Sequence, residues 1–106
     1  VSKYYAFGTR GNFMFYATDS KVYTWRYGSE SASEFMTVGE GEKIVQIKMY
    51  TNVSDATFNG KILFVATQKG NEGKVYKVVF NEMSGVAESS PVEYTGFNII
   101  KDMYYR

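Results

Sequence analysis

The sequence repeats itself at a spacing of about fifty residues, and this repeat constrains the fold more than any other feature. Segment 11–18 matches segment 60–67 at an offset of 49, with identical residues at Gly11/Gly60, Phe15/Phe64, Ala17/Ala66 and Thr18/Thr67. The motif Lys-Val-Tyr at 21–23 then recurs at 74–76, an offset of 53. The offset grows because the second copy carries four more residues around "KGNEG" (69–73), which predicts a longer hairpin turn. The chain therefore contains one structural unit twice.

Short runs of β-branched and aromatic residues, bounded by Gly, Asn, Asp and Ser, occur along the whole chain. They predict strands at 3–9, 12–18, 21–27, 33–38, 43–51, 61–67, 74–80, 91–95 and 98–105. No segment has the 3.6-residue apolar period of an amphipathic helix. Several runs are apolar at consecutive positions, which indicates sheets covered on both faces. The sequence therefore predicts an all-β fold.

Four short strands in a repeat of this length are typical of a β-propeller blade. We expect a partial propeller of about two four-stranded antiparallel blades, comprising residues 1–42 and 43–97, with 98–106 as the first strand of a third blade; together they form one structural unit. Complete propellers have roughly four to eight blades. Two blades leave apolar faces open, so we expect a homo-oligomer or the remainder of a longer propeller. The chain does not begin with Met, which is expected of a piece of a longer protein.

Composition excludes several classes of function. Lys and Arg number 12 against 11 Asp and Glu, and they are scattered, so no cationic surface for nucleic acid is expected. The chain has no Cys and no His, which removes thiolate zinc sites, a thiol nucleophile and the commonest general base. No apolar run approaches the length of a membrane span. We predict a non-catalytic protein without a cofactor, a metal or a membrane span.

Loops at one end of the sheets are the favoured place for a ligand site, because loops on a rigid scaffold carry binding. In an antiparallel meander, the turn between the second and third strands lies at the same end as the connection to the next unit. On this rim, amide and charged groups combine with one aromatic ring that can stack on a sugar. The predicted glycan site consists of Asn71, Glu72, Glu42, Lys43, Phe97 and Asn98.

Two other groups of residues have competing interpretations. Trp25 lies in an aromatic stripe with Tyr23 and Tyr27 and is either a sugar platform or part of the core. Core packing is favoured, because the stripe's counterparts in the second repeat are Tyr76, Val78 and Phe80. Glu40 and Glu42 are either an acid/base pair or solvated charges of a Gly-rich loop, and solvated charges are favoured.

The segments "GNFMFYATDSKVYTW", "EKIVQIKMY", "GKILFVATQ", "GKVYKVVF" and "GFNIIKDMYYR" resemble the propeller-like carboxy-terminal region of Bacteroidetes surface lipoproteins described as PKD-like. The resemblance covers nearly the whole chain and rests on structural motifs. It implies a cell-envelope protein at the outer surface or in the periplasm. It also implies a lipid anchor at an upstream Cys, an association with glycan uptake and no catalytic residues.

Three functions are therefore open. The preferred one is a non-catalytic cell-surface propeller segment that serves as a scaffold for a glycan or a protein partner. The alternative is a two-blade lectin whose copies assemble into a complete propeller. A glycosidase fragment, with its catalytic residues on other blades, is the most distant.

Overall fold

A computed structural model describes residues 4–7 and 13–97, which form two four-stranded antiparallel sheets. Sheet one consists, in spatial order, of β1 (Tyr4–Phe7), β2 (Phe13–Ala17), β3 (Lys21–Arg26) and β4 (Ser33–Thr37). Sheet two consists of β5 (Lys43–Met49), β6 (Ile62–Lys69), β7 (Glu72–Val79) and β8 (Val92–Phe97). The all-β prediction is confirmed, and these described ranges contain no helix. The predicted strand at 98–105 lies outside them, and the organisation into blades stays a prediction.

The sequence repeat coincides with the two central hairpins. In sheet one the turn has two residues, Asp19 and Ser20, and the Thr18 amide donates to the Lys21 carbonyl over 2.9 Å. In sheet two the turn also has two residues, Gly70 and Asn71, with Gly70 at φ +59°. A Gly with positive φ at the first turn position is what a tight hairpin of right-handed twist requires. The four additional residues therefore lengthen the hairpin by two cross-strand pairs, Gln68↔Gly73 and Lys69↔Glu72.

The core lies between the two sheets, where one face of each is buried against the other. The inner face of sheet one contributes Phe13, Phe15, Ala17 and Val22, and the inner face of sheet two contributes Leu63, Val65, Val78 and the adjoining Phe80. The ring of Phe80 meets those of Phe15 and Phe13 edge to face, at centroid distances of 4.9 and 5.7 Å. Such edge-to-face pairs add to the stabilisation that burial alone provides.

The two sheets stack in the same orientation, so the face of sheet one that contacts sheet two is not equivalent, in the repeat, to the face of sheet two that it contacts. Through the repeat, Leu63, Val65 and Val78 on the inner face of sheet two correspond to Met14, Tyr16 and Trp25 of sheet one. Those three residues lie on the outer face of sheet one, opposite Phe13 and Phe15. Sheet one thus covers the inner face of sheet two. The equivalent face of sheet one is its outer face, and no sheet within residues 4–7 and 13–97 covers it.

That uncovered surface, here called the aromatic face, is formed by cross-strand ladders of large side chains: Tyr5↔Tyr16↔Tyr23 and Phe7↔Met14↔Trp25. The rings of Tyr16 and Tyr23 stack at 5.3 Å. Tyr5 and Phe7 are 64% and 62% exposed. Large apolar side chains grouped on one exposed surface are typical of an interaction site.

The prediction that Trp25 belongs to the core is wrong. Its ring lies partly buried on the aromatic face, and its Nε1–H donates to the Ser29 carbonyl over 3.0 Å. The counterpart Val78 is fully buried because sheet one covers it. The comparison of the repeats identified equivalent positions but not which of them has a neighbouring sheet.

A Gly-containing turn after β7 joins sheet two to sheet one at the end of the sheets away from the β2–β3 and β6–β7 turns. The Thr24 hydroxyl of β3 donates to the Gly85 carbonyl over 3.2 Å. Gly85 has φ +75°, and a Cβ there would lie 2.6 Å from the Thr24 methyl carbon. Only glycine fits this contact, because both the backbone conformation and the available space exclude a side chain.

Candidate functional site

The connection between the sheets positions Glu42. This connection is tied to the β2–β3 turn by the Val38 amide, which donates to the Ser20 carbonyl over 3.0 Å, and by the Ile44 amide, which donates to the Asp19 carbonyl over 2.7 Å. Between them the chain forms a tight turn, in which the Glu42 amide donates to the Gly39 carbonyl over 3.1 Å. A side chain at position 39 would collide with the Glu42 carboxylate. The turn therefore directs Glu42 towards sheet two.

Three side chains of sheet two surround the Glu42 carboxylate and form what we call the Glu42 cluster. Thr67 Oγ1 and Tyr76 OH donate to Glu42 Oε1 over 2.8 and 2.7 Å. Lys74 Nζ donates to Oε2 over 3.1 Å and also bonds Glu93 Oε1 of β8 over 2.9 Å. The Glu42 side chain is only 9% exposed. The interpretation of Glu42 as a solvated charge is therefore wrong, whereas Glu40 is exposed.

The surroundings of Glu42 favour its ionised form. Burial by itself raises the pKa of Glu42, but the hydrogen bonds from Tyr76, Thr67 and Lys74 together outweigh burial, and the pKa lies below its ordinary value of 4.5. The pKa of Lys74 is raised, chiefly by its hydrogen bond to Glu93 and next by the one to Glu42. Burial, followed by donation to Glu42, raises the pKa of Tyr76. At neutral pH the cluster is a charged, hydrogen-bonded anchor between a loop and a sheet.

A cleft of about 470 Å³ adjoins the Glu42 cluster on the same rim. It brings together four residues of the predicted glycan site: Asn71 and Glu72 from the β6–β7 hairpin, Phe97 at the end of β8, and Glu42. Lys43 is exposed at the start of β5 and does not line the cleft, and Asn98 lies outside the described residues. Phe97 is 44% exposed, which leaves part of its ring available for stacking.

Sequence reasoning missed a second cleft, of about 350 Å³, on the opposite rim. It lies between the β3–β4 loop and the turn that contains Gly85, and its lining is rich in hydroxyl groups: Ser29, Ser31, Ser33 and Ser84. The signal was present in the Ser-rich segments "GSESASE" and "MSGVAESS".

The sequence matches no protein-family model, and it matches no curated protein.

Within residues 4–7 and 13–97, no helix is long and apolar enough to cross a membrane, and no three acidic, His or Cys side chains converge as metal ligands would.

Proposed function

We propose that the chain is a non-catalytic segment of a β-propeller that serves as an interaction scaffold on a cell surface. The cell-surface location is proposed from the resemblance to PKD-like lipoproteins of Bacteroidetes. The mode of interaction is proposed from the stacking of the two sheets, which is the observation that carries this function. Further sheets stack on the aromatic face of sheet one, either from other repeats of a longer propeller or from other copies of the chain.

The aromatic face supports this proposal through its chemistry. The aromatic face of sheet one corresponds, through the repeat, to the covered inner face of sheet two. It carries Tyr16 in place of Val65 and Trp25 in place of Val78, so its side chains are larger and more polar. Tyr and Trp are enriched at protein interfaces, because they bury a large area and keep a polar group for hydrogen bonding. The equivalent face of sheet two is covered by the inner face of sheet one, and we expect a further sheet to cover the aromatic face in the same way.

Light scattering tests the scaffold function. The wild-type chain is expected to associate increasingly over the micromolar range, because burial of the aromatic face removes a large apolar area from water. The double variant Tyr5→Lys/Phe7→Lys is expected to remain monomeric while keeping its fold, since both side chains are largely exposed in the monomer.

The matched control is the double variant Val53→Lys/Met83→Lys. It adds the same charge at two exposed apolar loop residues, 91% and 57% accessible, outside the aromatic face. Association of the control should equal that of the wild type. A wild-type chain that stays monomeric throughout, with both variants behaving identically, would contradict the proposal.

Glycan binding at the cleft beside the Glu42 cluster is the second candidate function, and it is the one that the two-blade lectin alternative requires. The observation in its favour is the combination of the Phe97 ring with the amide of Asn71 and the carboxylate of Glu72 around one cleft. A sugar needs a stacking surface and a few convergent hydrogen-bonding groups, and these residues provide both.

A glycan array tests this second candidate. The wild-type chain should retain a set of related glycans, and the double variant Asn71→Ala/Phe97→Ala should lose them. The variant Ser31→Ala/Ser33→Ala, in the cleft at the opposite rim, should bind as the wild type does. Glycans lost with the serine variant and kept by the first variant would place the site at the opposite rim instead.

A further inference from the structure

We propose that Thr18, Lys21 and Tyr23 on the aromatic face form a binding site for a carboxylate, which a glutamate side chain of the partnering sheet supplies. This inference rests on the proposed function, since it specifies the chemistry of the partner that covers the aromatic face. In the covered copy of the same face, Thr67, Lys74 and Tyr76 hold Glu42.

The two sets agree in residue type and in strand register. Tyr23 pairs with Tyr16, and Tyr76 pairs with Val65, which is the residue equivalent to Tyr16. Thr18 adjoins Lys21 across the hairpin, as Thr67 adjoins Lys74. Because side chains alternate between the faces of a strand, identical register places each set on the same face of its sheet. A hydroxyl, an ammonium and a phenol are thus grouped twice, in the same order.

One of the two carboxylates that Lys74 binds also has a counterpart in sheet one. Glu93 lies opposite Tyr76 on the outermost strand, and Glu34 lies opposite Tyr23 at the same place. Lys21 Nζ bonds Glu34 Oε1 over 3.2 Å, as Lys74 bonds Glu93. The second carboxylate, supplied to Lys74 by Glu42, has no counterpart at Lys21 within residues 4–7 and 13–97.

The site is accessible to a ligand. The Lys21 side chain is 42% exposed, against 27% for Lys74. No residue in the described ranges hydrogen-bonds the Tyr23 hydroxyl. Among these same residues, the Thr18 hydroxyl meets only the backbone of its own turn: it accepts from the Lys21 amide over 3.3 Å and lies 3.5 Å from the Lys21 carbonyl oxygen. Sheet two shows that a lysine in this setting accommodates two carboxylates, so the pairing with Glu34 leaves room for another.

We expect the sheet that covers the aromatic face to end in a loop like the one after β4, in which the acidic residue Glu42 directly follows the positive-φ residue Gly41. Gly41 and Gly96 both have positive φ, at 82° and 96°, but Phe97 follows Gly96. Residues 1–3, Val-Ser-Lys, precede β1 as Glu42 precedes β5, and they contain no acidic residue either. The loop after β8 therefore offers a phenyl ring where the site requires a carboxylate. Copies of this chain that pair through the aromatic face leave the carboxylate site empty, and a different repeat supplies the carboxylate.

Nuclear magnetic resonance titration of the full chain with a synthetic peptide tests the site. The probe has the sequence of residues 38–44, Val-Gly-Glu-Gly-Glu-Lys-Ile, and the control peptide has Gln in place of its second Glu. The Glu peptide should shift the Lys21 ammonium-end and Tyr23 ring resonances saturably. The Gln peptide should bind roughly tenfold more weakly, because hydrogen bonds to a charged group are lost.

Variants of the chain assign the effect to the site. Tyr23→Phe and Lys21→Met should each abolish the discrimination between the two peptides, whereas Tyr94→Phe and Lys77→Met, on sheet two, should preserve it. Circular dichroism confirms that each variant is folded. Equal binding of the two peptides, or no saturable shift with either, would overturn the inference. If the lysine variants of Tyr5 and Phe7 abolish association while the peptides are not discriminated, the carboxylate site fails and the scaffold function stands.

Discussion

Glu42 shows how much a single residue depends on partners that are distant in sequence. Its hydrogen bonds to Thr67 and Tyr76 span 25 and 34 positions. The sequence repeats the Thr, Lys and Tyr that hold it, but it does not repeat the glutamate at a fixed distance from them. Two acidic residues in a Gly-rich loop are usually solvated, and only the folded turn reveals that Glu42 points inward while Glu40 is exposed.

Replacement of Glu42 by Gln is expected to destabilise the protein at neutral pH by about 1.5 to 3 kcal/mol, because charge-assisted hydrogen bonds are lost. The loss should depend on pH. The folded-state pKa of Glu42 is lowered from 4.5, so its charge contributes stability above that value, and the contribution is lost as pH falls through the folded-state pKa. The difference in free energy of unfolding between wild type and variant should therefore shrink below pH 4.5, as measured by urea unfolding at a series of pH values.

Glu40→Gln is the matched control, since it removes an exposed carboxylate two residues away. It should change stability by less than about 0.5 kcal/mol at every pH. A Glu42 variant that follows the wild-type curve throughout would mean that the cluster does not stabilise the fold.

At the scale of the strand, the sequence was a reliable guide. All eight described strands coincide with predicted runs, and most ends differ by a residue or two. Period-two alternation and bounding turn residues are local properties, so they can be detected without knowledge of the tertiary structure. At the hairpin 69–73, two added cross-strand pairs extend β6 and β7 into the expected loop.

The burial of each strand face was harder to predict than the strands themselves. Trp25 and Val78 occupy equivalent positions in β3 and β7, yet in the part of the chain that the structure describes only Val78 has a sheet packed on it. Burial on a sheet face is decided by the neighbouring layer, which the strand's own pattern does not specify. Likewise, the rim residues Asn71 and Phe97 could be grouped from strand order alone, whereas the clefts depend on how the loops fold.

For the whole molecule, the repeat offers a matched pair of residues whose substitution measures how much the contact between the sheets contributes to the free energy of unfolding. Phe15 and Phe64 are the same residue at the same repeat position. Phe15 is fully buried between the sheets, with its ring centroid 4.9 Å from that of Phe80. Phe64 lies partly buried on the outer face of sheet two, with the ring of Tyr50 at 6.4 Å.

Phe15→Ala is expected to lower the free energy of unfolding by about 3 to 5 kcal/mol, because it creates a cavity in the core. Phe64→Ala should cost less, about 1 kcal/mol, since the Phe64 ring is only partly buried. Urea unfolding at a concentration where light scattering reports monomers measures both. Equal losses would indicate that the outer face of sheet two is packed as closely as the core.

Stacking of the repeats in one sense also bears on how a gene for such a chain can lengthen. An in-frame duplication of one repeat adds a sheet whose inner face already fits the outer face of an existing sheet, so no new contact surface has to evolve. Repeats related by a two-fold axis would instead satisfy each other as closed pairs. The number of sheets thus becomes a property that a single recombination event changes, and only the terminal faces need to adapt to water.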